Sequence, residues 1–269
     1  MTHTEPSTAL PELSRGQVRS ARALLSRKGR QSTGRFLAEG RQAVREALQA
    51  EVAELVIVSA PATHTDLLLP AKVPVVLGSA ADVASLCSTV TPQGIVAVCR
   101  QQAWRLEQIV RPQLVVIGAQ VRDPGNAGTV IRCADAFGAD AVVWTHGCVE
   151  THNPKTVRAS VGSIFHVPIV EGVSLAEAVD WAHQQGMQVL ATSGEGERLD
   201  DLVAAGLLRA PTAWIMGNEA WGLPAADREL ADRLVGVPMW GRAESLNLST
   251  AAAICLYSSA VAQHSTPAR

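Results

Sequence analysis

The stretch LVVIGAQVRDPGNAGTVIRCADAFGADAVVWT (114–145) decides the fold. An apolar run at 114–118 leads into the turn Asp123-Pro124-Gly125. A segment at 127–138 follows, in which Ala127, Val130, Ile131, Ala134 and Phe137 gather on one face at about 100° per residue. Gly138 is a natural helix stop, and a second apolar run opens at 141. This is strand, helix, strand. The same rhythm continues with strand-like runs at 187–191, 213–217 and 234–238, and with helical segments near 154–163, 174–185, 224–231 and 249–263. Such alternation predicts an α/β fold, with an open, mostly parallel sheet covered by helices on both faces. Ligands of these sheets lie outside the carboxyl ends of the strands. The loops after residues 118, 191, 217 and 238 are therefore where chemistry is to be sought.

Upstream, a smaller α/β unit is expected at 14–100. Helical spacing covers 14–28 and 36–50, with the basic loop KGRQSTGR (28–35) between them. Short apolar runs follow at 55–58, 73–77 and 94–98, with a helical pattern near 79–87. Residues 1–13 read as a flexible leader and 101–112, which include Pro112, as a linker. The larger domain takes 113–269.

With 269 residues, 47% apolar and 18% charged, the chain has the composition of a globular protein rather than a disordered one. No apolar run approaches the ~20 residues of a membrane-spanning helix, and no signal peptide is legible at the amino end. Five widely spaced cysteines without a CxxC pair argue against a disulfide scaffold and a zinc ribbon. A soluble, cytoplasmic protein is expected. The net charge of −2 hides an asymmetry: residues 1–45 hold nine basic and three acidic side chains. A basic arm of this kind fits a nucleic-acid partner, although a solvated helix face explains it equally well.

Three loops carry unusual residues. In 123–138, Asn126 reads as a helix cap, and Arg132 points away from the apolar face beside Gly128, which would let a ligand approach. An ordinary solvated arginine is the plain alternative. In WIMGNEAWGLP (214–224), a strand runs straight into Gly217-Asn218-Glu219; this is neither a dinucleotide fingerprint nor a phosphate loop. In 236–256, Ser245 and Asn247 alternate with leucines ahead of a small-residue helix that Ser249 would cap.

Together, NxGxxxR (126–132), GNExxGL (217–223) and VPMWGRAESLNLS (237–249) resemble the three motifs of the SpoU/TrmH family of RNA ribose 2′-O-methyltransferases, in the SPOUT superfamily. GRFLAEGRQAVREAL (34–48) is similar to the opening of that family's substrate-binding domain. The resemblance implies a deep trefoil knot in the second domain and a homodimer through it, with the last helix as part of the interface. It also implies S-adenosylmethionine held among Thr192, Ser193, Gly217, Val237, Pro238 and Leu246. Arg132 would activate the hydroxyl or hold a neighbouring phosphate. The second role is chemically easier, because a guanidinium does not readily lose its proton. Asn126, Glu219, Ser245 and Asn247 would orient Arg132 and the ribose.

Arg158 in 152–169 and the basic loop (Lys28, Arg30, Arg35) are the further RNA contacts expected. No metal is implied. His146, His152, His166 and His183 read as structural, and so do most tryptophans, although Trp221 and Trp240 flank the expected pocket. The small first domain favours ribosomal over transfer RNA. A nucleotide-dependent oxidoreductase would need a glycine-rich first turn that 118–128 do not supply. A non-catalytic RNA-binding protein would have little use for all five polar residues in register.

Overall fold

In a computed structural model of the chain, residues 10–68 and 72–265 are described. The chain divides into two compact units, Met1–Gln101 and Gln102–Arg269. The first holds α1 (Arg15–Ala23), α2 (Arg27–Thr33), β1 (Arg35–Glu39), α3 (Arg41–Gln49), β2 (Ala53–Val58), α4 (Thr65–Leu68), β3 (Val75–Leu77), α5 (Ala80–Ala84) and β4 (Ile95–Arg100). Its sheet runs β1-β4-β2-β3, with β4 antiparallel to both neighbours and β3 parallel to β2. Leu24, Leu37, Ile57, Val83, Leu86 and Val96 are buried together in its core.

Three expectations are corrected here. Residues 36–39 are strand, not helix. Phe36, Leu37 and Ala38 are all buried, and adjacent residues point to opposite faces of a strand, so both faces are covered. Gly40, at φ +89°, then turns the chain into α3. The basic loop is a helix, α2, capped by the Ser26 side chain and closed by Gly34 in the left-handed region. The leader stops short of residue 13. Leu13 N–H donates to Leu77 O and Leu77 N–H to Pro11 O, both at 2.8 Å, so this segment lies along β3. Residues 1–9 fall outside the described residues.

The second unit holds β5 (Leu114–Gly118), α6 (Pro124–Ala136), β6 (Ala141–Thr145), α7 (Pro154–Ser160), β7 (Ile169–Val173), α8 (Leu175–Gln184), β8 (Gln188–Arg198), α9 (Leu199–Ala204), β9 (Thr212–Met216), α10 (Ala225–Arg228), β10 (Arg233–Gly236) and α11 (Leu248–His264). Its six strands, in the order β10-β8-β9-β5-β6-β7, are all parallel. Val115, Ile117, Val143 and Ile215 pack with Ala178, Val179 and Ala182 of α8 on one face. On the other, α11 packs on α6, β5 and β9, and the buried Trp214 Nε1–H donates to Ser259 Oγ at 2.9 Å. The expected linker belongs to this unit: Leu106 and Ile109 are in its core, and Trp104 pairs with Val170. The chain leaves β5 for β6 and β7, then crosses to β8 and returns through β9. Strands β5 and β9 are thus neighbours at the point where the order reverses.

One irregularity shapes the functional end. Along β10 the ladder partner steps from Ala191 to Glu197 between Leu234 and Val235. Residues 192–196 therefore arch out of the pairing. The crossing is close enough that a Cβ on Gly196 would lie 2.4 Å from the Leu234 carbonyl carbon. Only glycine fits.

Candidate active site

The arch and the loops that follow β9 and β10 enclose a cleft of about 320 Å³ at the carboxyl ends of the strands. A cleft of that size is at the lower end of small-ligand sites. Thr192 and Ser193 of the arch, Gly217, Val237 and Leu246 line it, with Glu219 and Ser245. Pro238 does not. It lines a second, apolar groove with Leu199, Val203, Trp240 and Ile254, and Val237 borders both.

One polar residue from each of the three motifs joins a single hydrogen-bonded chain. Asn247, not Ser249, caps α11: its Oδ1 accepts from Ser249 N–H at 2.9 Å and Thr250 N–H at 3.4 Å. That fixes the amide, so Nδ2–H is left to donate to Asn126 Oδ1 at 3.0 Å. Asn126 Nδ2–H in turn donates to Glu219 Oε1 at 3.3 Å. The Glu219 carboxylate also accepts the backbone N–H of Asp123 at 3.2 Å and of Arg122 at 3.4 Å. Each amide has a single orientation that satisfies its partners. Residues 121 positions apart are thereby held in one arrangement.

Asn126 is not the cap of α6. Asp123 is, through Asn126 N–H at 2.8 Å, with Pro124 in the first turn. That bond, and then Lys155 at 3.0 Å, hold the Asp123 carboxyl below the usual carboxylate range. Gly128 faces no ligand. A Cβ there would lie 2.5 Å from Thr156 O and 2.6 Å from Ala159 Cβ, so the glycine admits α7. Arg132 is exposed, and among the described residues its side chain makes no ion pair or hydrogen bond. Arg158 is half-buried and engaged with a neighbour.

In the first unit, Lys28 is exposed and Arg35 pairs with Glu54. Arg30 is not a surface residue. It is 2% exposed and its Nη1 donates to Leu24 O and Leu25 O at 2.9 and 3.0 Å, tying α2 to the end of α1. Arg15, Arg19 and Arg22, which sequence reasoning counted without singling out, line one groove on α1. Their spacing of four and three residues could have shown it.

Asn218 was also missed. It is buried, and its Nδ2–H donates to Gln120 O at 2.7 Å while Oδ1 accepts Ala220 N–H at 2.8 Å. It pins the loop after β9 to the loop after β5. Arg228 lines the cleft, its Nε–H held by Leu223 O at 2.8 Å. No group of three or more potential metal ligands occurs among the described residues.

Residues 113–257 match the SpoU rRNA Methylase family, and 15–97 match the MRM3-like substrate binding domain. The chain belongs to the SpoU rRNA methylase family. Among its relatives is the 23S rRNA (guanosine(2553)-2′-O)-methyltransferase RlmP of Bacillus subtilis (strain 168). It is 35% identical over 244 residues, covering 90% of this chain and 94% of the relative. The 23S rRNA (uridine(2479)-2′-O)-methyltransferase of Streptomyces viridochromogenes is 37% identical over 170 residues, 62% of this chain and 59% of that protein. Of solved structures, the AdoMet-bound rRNA methyltransferase from Sinorhizobium meliloti superposes with a TM-score of 0.78 at 30% identity, covering 93% and 96% of the two chains. AviRb from Streptomyces viridochromogenes in complex with AdoMet gives 0.80 at 27%, covering 92% and 97%.

Proposed function

We propose that this protein methylates a ribose 2′-hydroxyl of ribosomal RNA, using S-adenosylmethionine. The observation that carries the reading is the chain Asn247–Asn126–Glu219, which closes three distant motifs beside one cleft. The cleft suits the cofactor: Met216, Val237 and Leu246 offer apolar walls for an adenine, and the arch at 192–194 offers backbone groups. Named relatives act on 23S rRNA and two similar structures hold AdoMet.

Held by the loops at 192–194, Gly217, Val237 and Leu246, S-adenosylmethionine would supply an electrophilic methyl to the 2′-oxygen, with the sulfur keeping the electron pair as a neutral thioether and the hydroxyl proton passing to water. This chain's residues position and stabilise. Arg132 holds the phosphate beside the target ribose and offsets charge growing on the oxygen. Asn126 and Glu219 keep the floor of the site fixed, with Ser245 within reach of the ribose. Such positioning supplies much of the rate in a bimolecular transfer. In the first unit, Lys28, Arg35 and the α1 arginines meet phosphates, where charge governs affinity.

A second copy of the chain would cover α11, on which Tyr257 and Val261 are exposed. The reaction belongs in the cytoplasm, where the five free thiols persist. No helix among the described residues is long and apolar enough to cross a membrane.

The test is transfer of labelled methyl from S-adenosylmethionine to total ribosomal RNA and, separately, to transfer RNA, followed by nucleoside analysis. Label in a 2′-O-methylated nucleoside of ribosomal RNA is expected. Label only in transfer RNA overturns the substrate, and no cofactor binding overturns the reaction. Arg132→Ala should abolish transfer and leave cofactor affinity nearly intact; a parallel loss of both would contradict its role toward RNA.

A further inference from the structure

Trp221 is half exposed, on the turn after β9, and the Arg122 guanidinium lies over its ring, 4.9 Å from the centroid. Neither side chain belongs to the hydrogen-bonded chain described above. We infer that the Arg122–Trp221 pair is a stacking platform for a nucleobase of the RNA, at or next to the methylated nucleotide. This rests on the RNA methylation reading.

The pair is held in place before any substrate arrives. The turn that carries Trp221 is closed by mutual bonds between Asn218 and Gly222, 2.9 Å each way. Buried Asn218 ties that turn to Gln120 O. The Arg122 N–H donates to Glu219, which itself lines the cleft. Two loops from different strands therefore set the guanidinium and the indole in register. Glu219, Ala220 and Gly222, on either side of Trp221, all line the cleft. Trp221 is thus carried on the loop that forms one wall of the cleft, with its indole outside the lining.

The chemistry selects the ligand. A guanidinium on one side leaves the other face of the indole to a partner, and a flat ring is the best partner for that face. Nucleobases taken out of a stack are held on aromatic side chains and arginine planes in this way. The surroundings disfavour a protein partner. The residues that flank Trp221 in the chain, Glu219, Ala220 and Gly222, are charged or small and exposed, and docked apolar surface would desolvate Arg122. The loop that bears this ring also lines the cleft, so a nucleotide whose 2′-hydroxyl enters the cleft passes beside that loop.

The experiment compares the full chain with Trp221→Leu, Trp221→Phe and Arg122→Gln. One arm measures kcat and KM with unmodified 23S rRNA transcript; the other measures binding and ultraviolet cross-linking of a single-stranded RNA 12-mer of mixed sequence. Stacking on one aromatic residue predicts a roughly five- to hundredfold loss of RNA affinity in Trp221→Leu. Trp221→Phe should recover part of it. Cofactor affinity, melting temperature and oligomeric state should not move, and the cross-linked peptide should contain Trp221. Unchanged RNA affinity overturns the platform. Loss of cofactor affinity in step would place the indole over the cofactor, and a changed oligomeric state would place it against a second copy; both overturn it. A wild-type chain that binds the 12-mer through Trp221 but methylates no rRNA sinks the substrate reading alone. One that binds neither RNA sinks both.

Discussion

Asn247 does two jobs with two atoms. Oδ1 caps α11 and Nδ2 orients Asn126. The jobs separate by substitution. Asn247→Asp keeps an acceptor at a helix N-terminus, where a negative charge is favourable, and removes the donor. It should melt within a few degrees of the wild type and lose most methyl transfer. Asn247→Ala should lose both, with the missing cap costing about 1 kcal/mol in a urea titration. A stable, fully active Asn247→Asp protein would show that the bond to Asn126 is dispensable. At this scale the sequence was informative about which residues meet, since Asn126, Glu219, Ser245 and Asn247 all come to the cleft or its hydrogen-bonded chain. It was misleading about the caps. Asn126 and Ser249 are both good cap residues, and only the backbone path shows that Asp123 and Asn247 hold those places.

Among elements, the strand and helix rhythm of the second unit was legible because its core strands are continuous apolar runs. Strand β7 was not, since only Ile169 and Val170 of it are buried. The arch at 192–196 was hidden for another reason: it depends on pairing with residues some forty positions later, and no local pattern encodes that. In the first unit, Phe36 and Leu37 fit helical spacing with Ala43, Val44 and Ala47, so the helix was read too far back.

Two changes test these elements. Gly128→Val drives a side chain into the α7 backbone and should destabilise the second unit by about 1–3 kcal/mol in chemical denaturation. Arg30→Ala leaves the Leu24 and Leu25 carbonyls without their partner, and should destabilise by about 1–3 kcal/mol. Lys28→Ala, two residues away and exposed, should leave stability alone and weaken RNA binding. Equal effects of the two on RNA affinity at matched stability would return Arg30 to the RNA surface.

At the scale of the whole molecule, Val261→Arg places a charge on the exposed side of α11. If α11 carries the proposed dimer contact, light scattering should show a dimer for the wild type and its loss in the variant at micromolar concentration, with melting temperature unchanged. A dimer that survives would move the interface elsewhere. The net charge of −2 also takes on meaning here. Residues 1–45 hold nine basic side chains against three acidic ones, so RNA affinity should fall steeply with salt, and replacing Arg15, Arg19 and Arg22 should flatten that slope.

The last helix begins at the residue that steers Asn126. Whatever leans on its outer side is therefore connected, through one amide and then another, to the carboxylate beneath the two loops at the cleft. In engineering terms, this site cannot be copied to another scaffold as a set of side chains. Whoever moves it must move the first turn of α11 with it, and a tag or fusion that tugs on that helix will be felt where the methyl group changes hands.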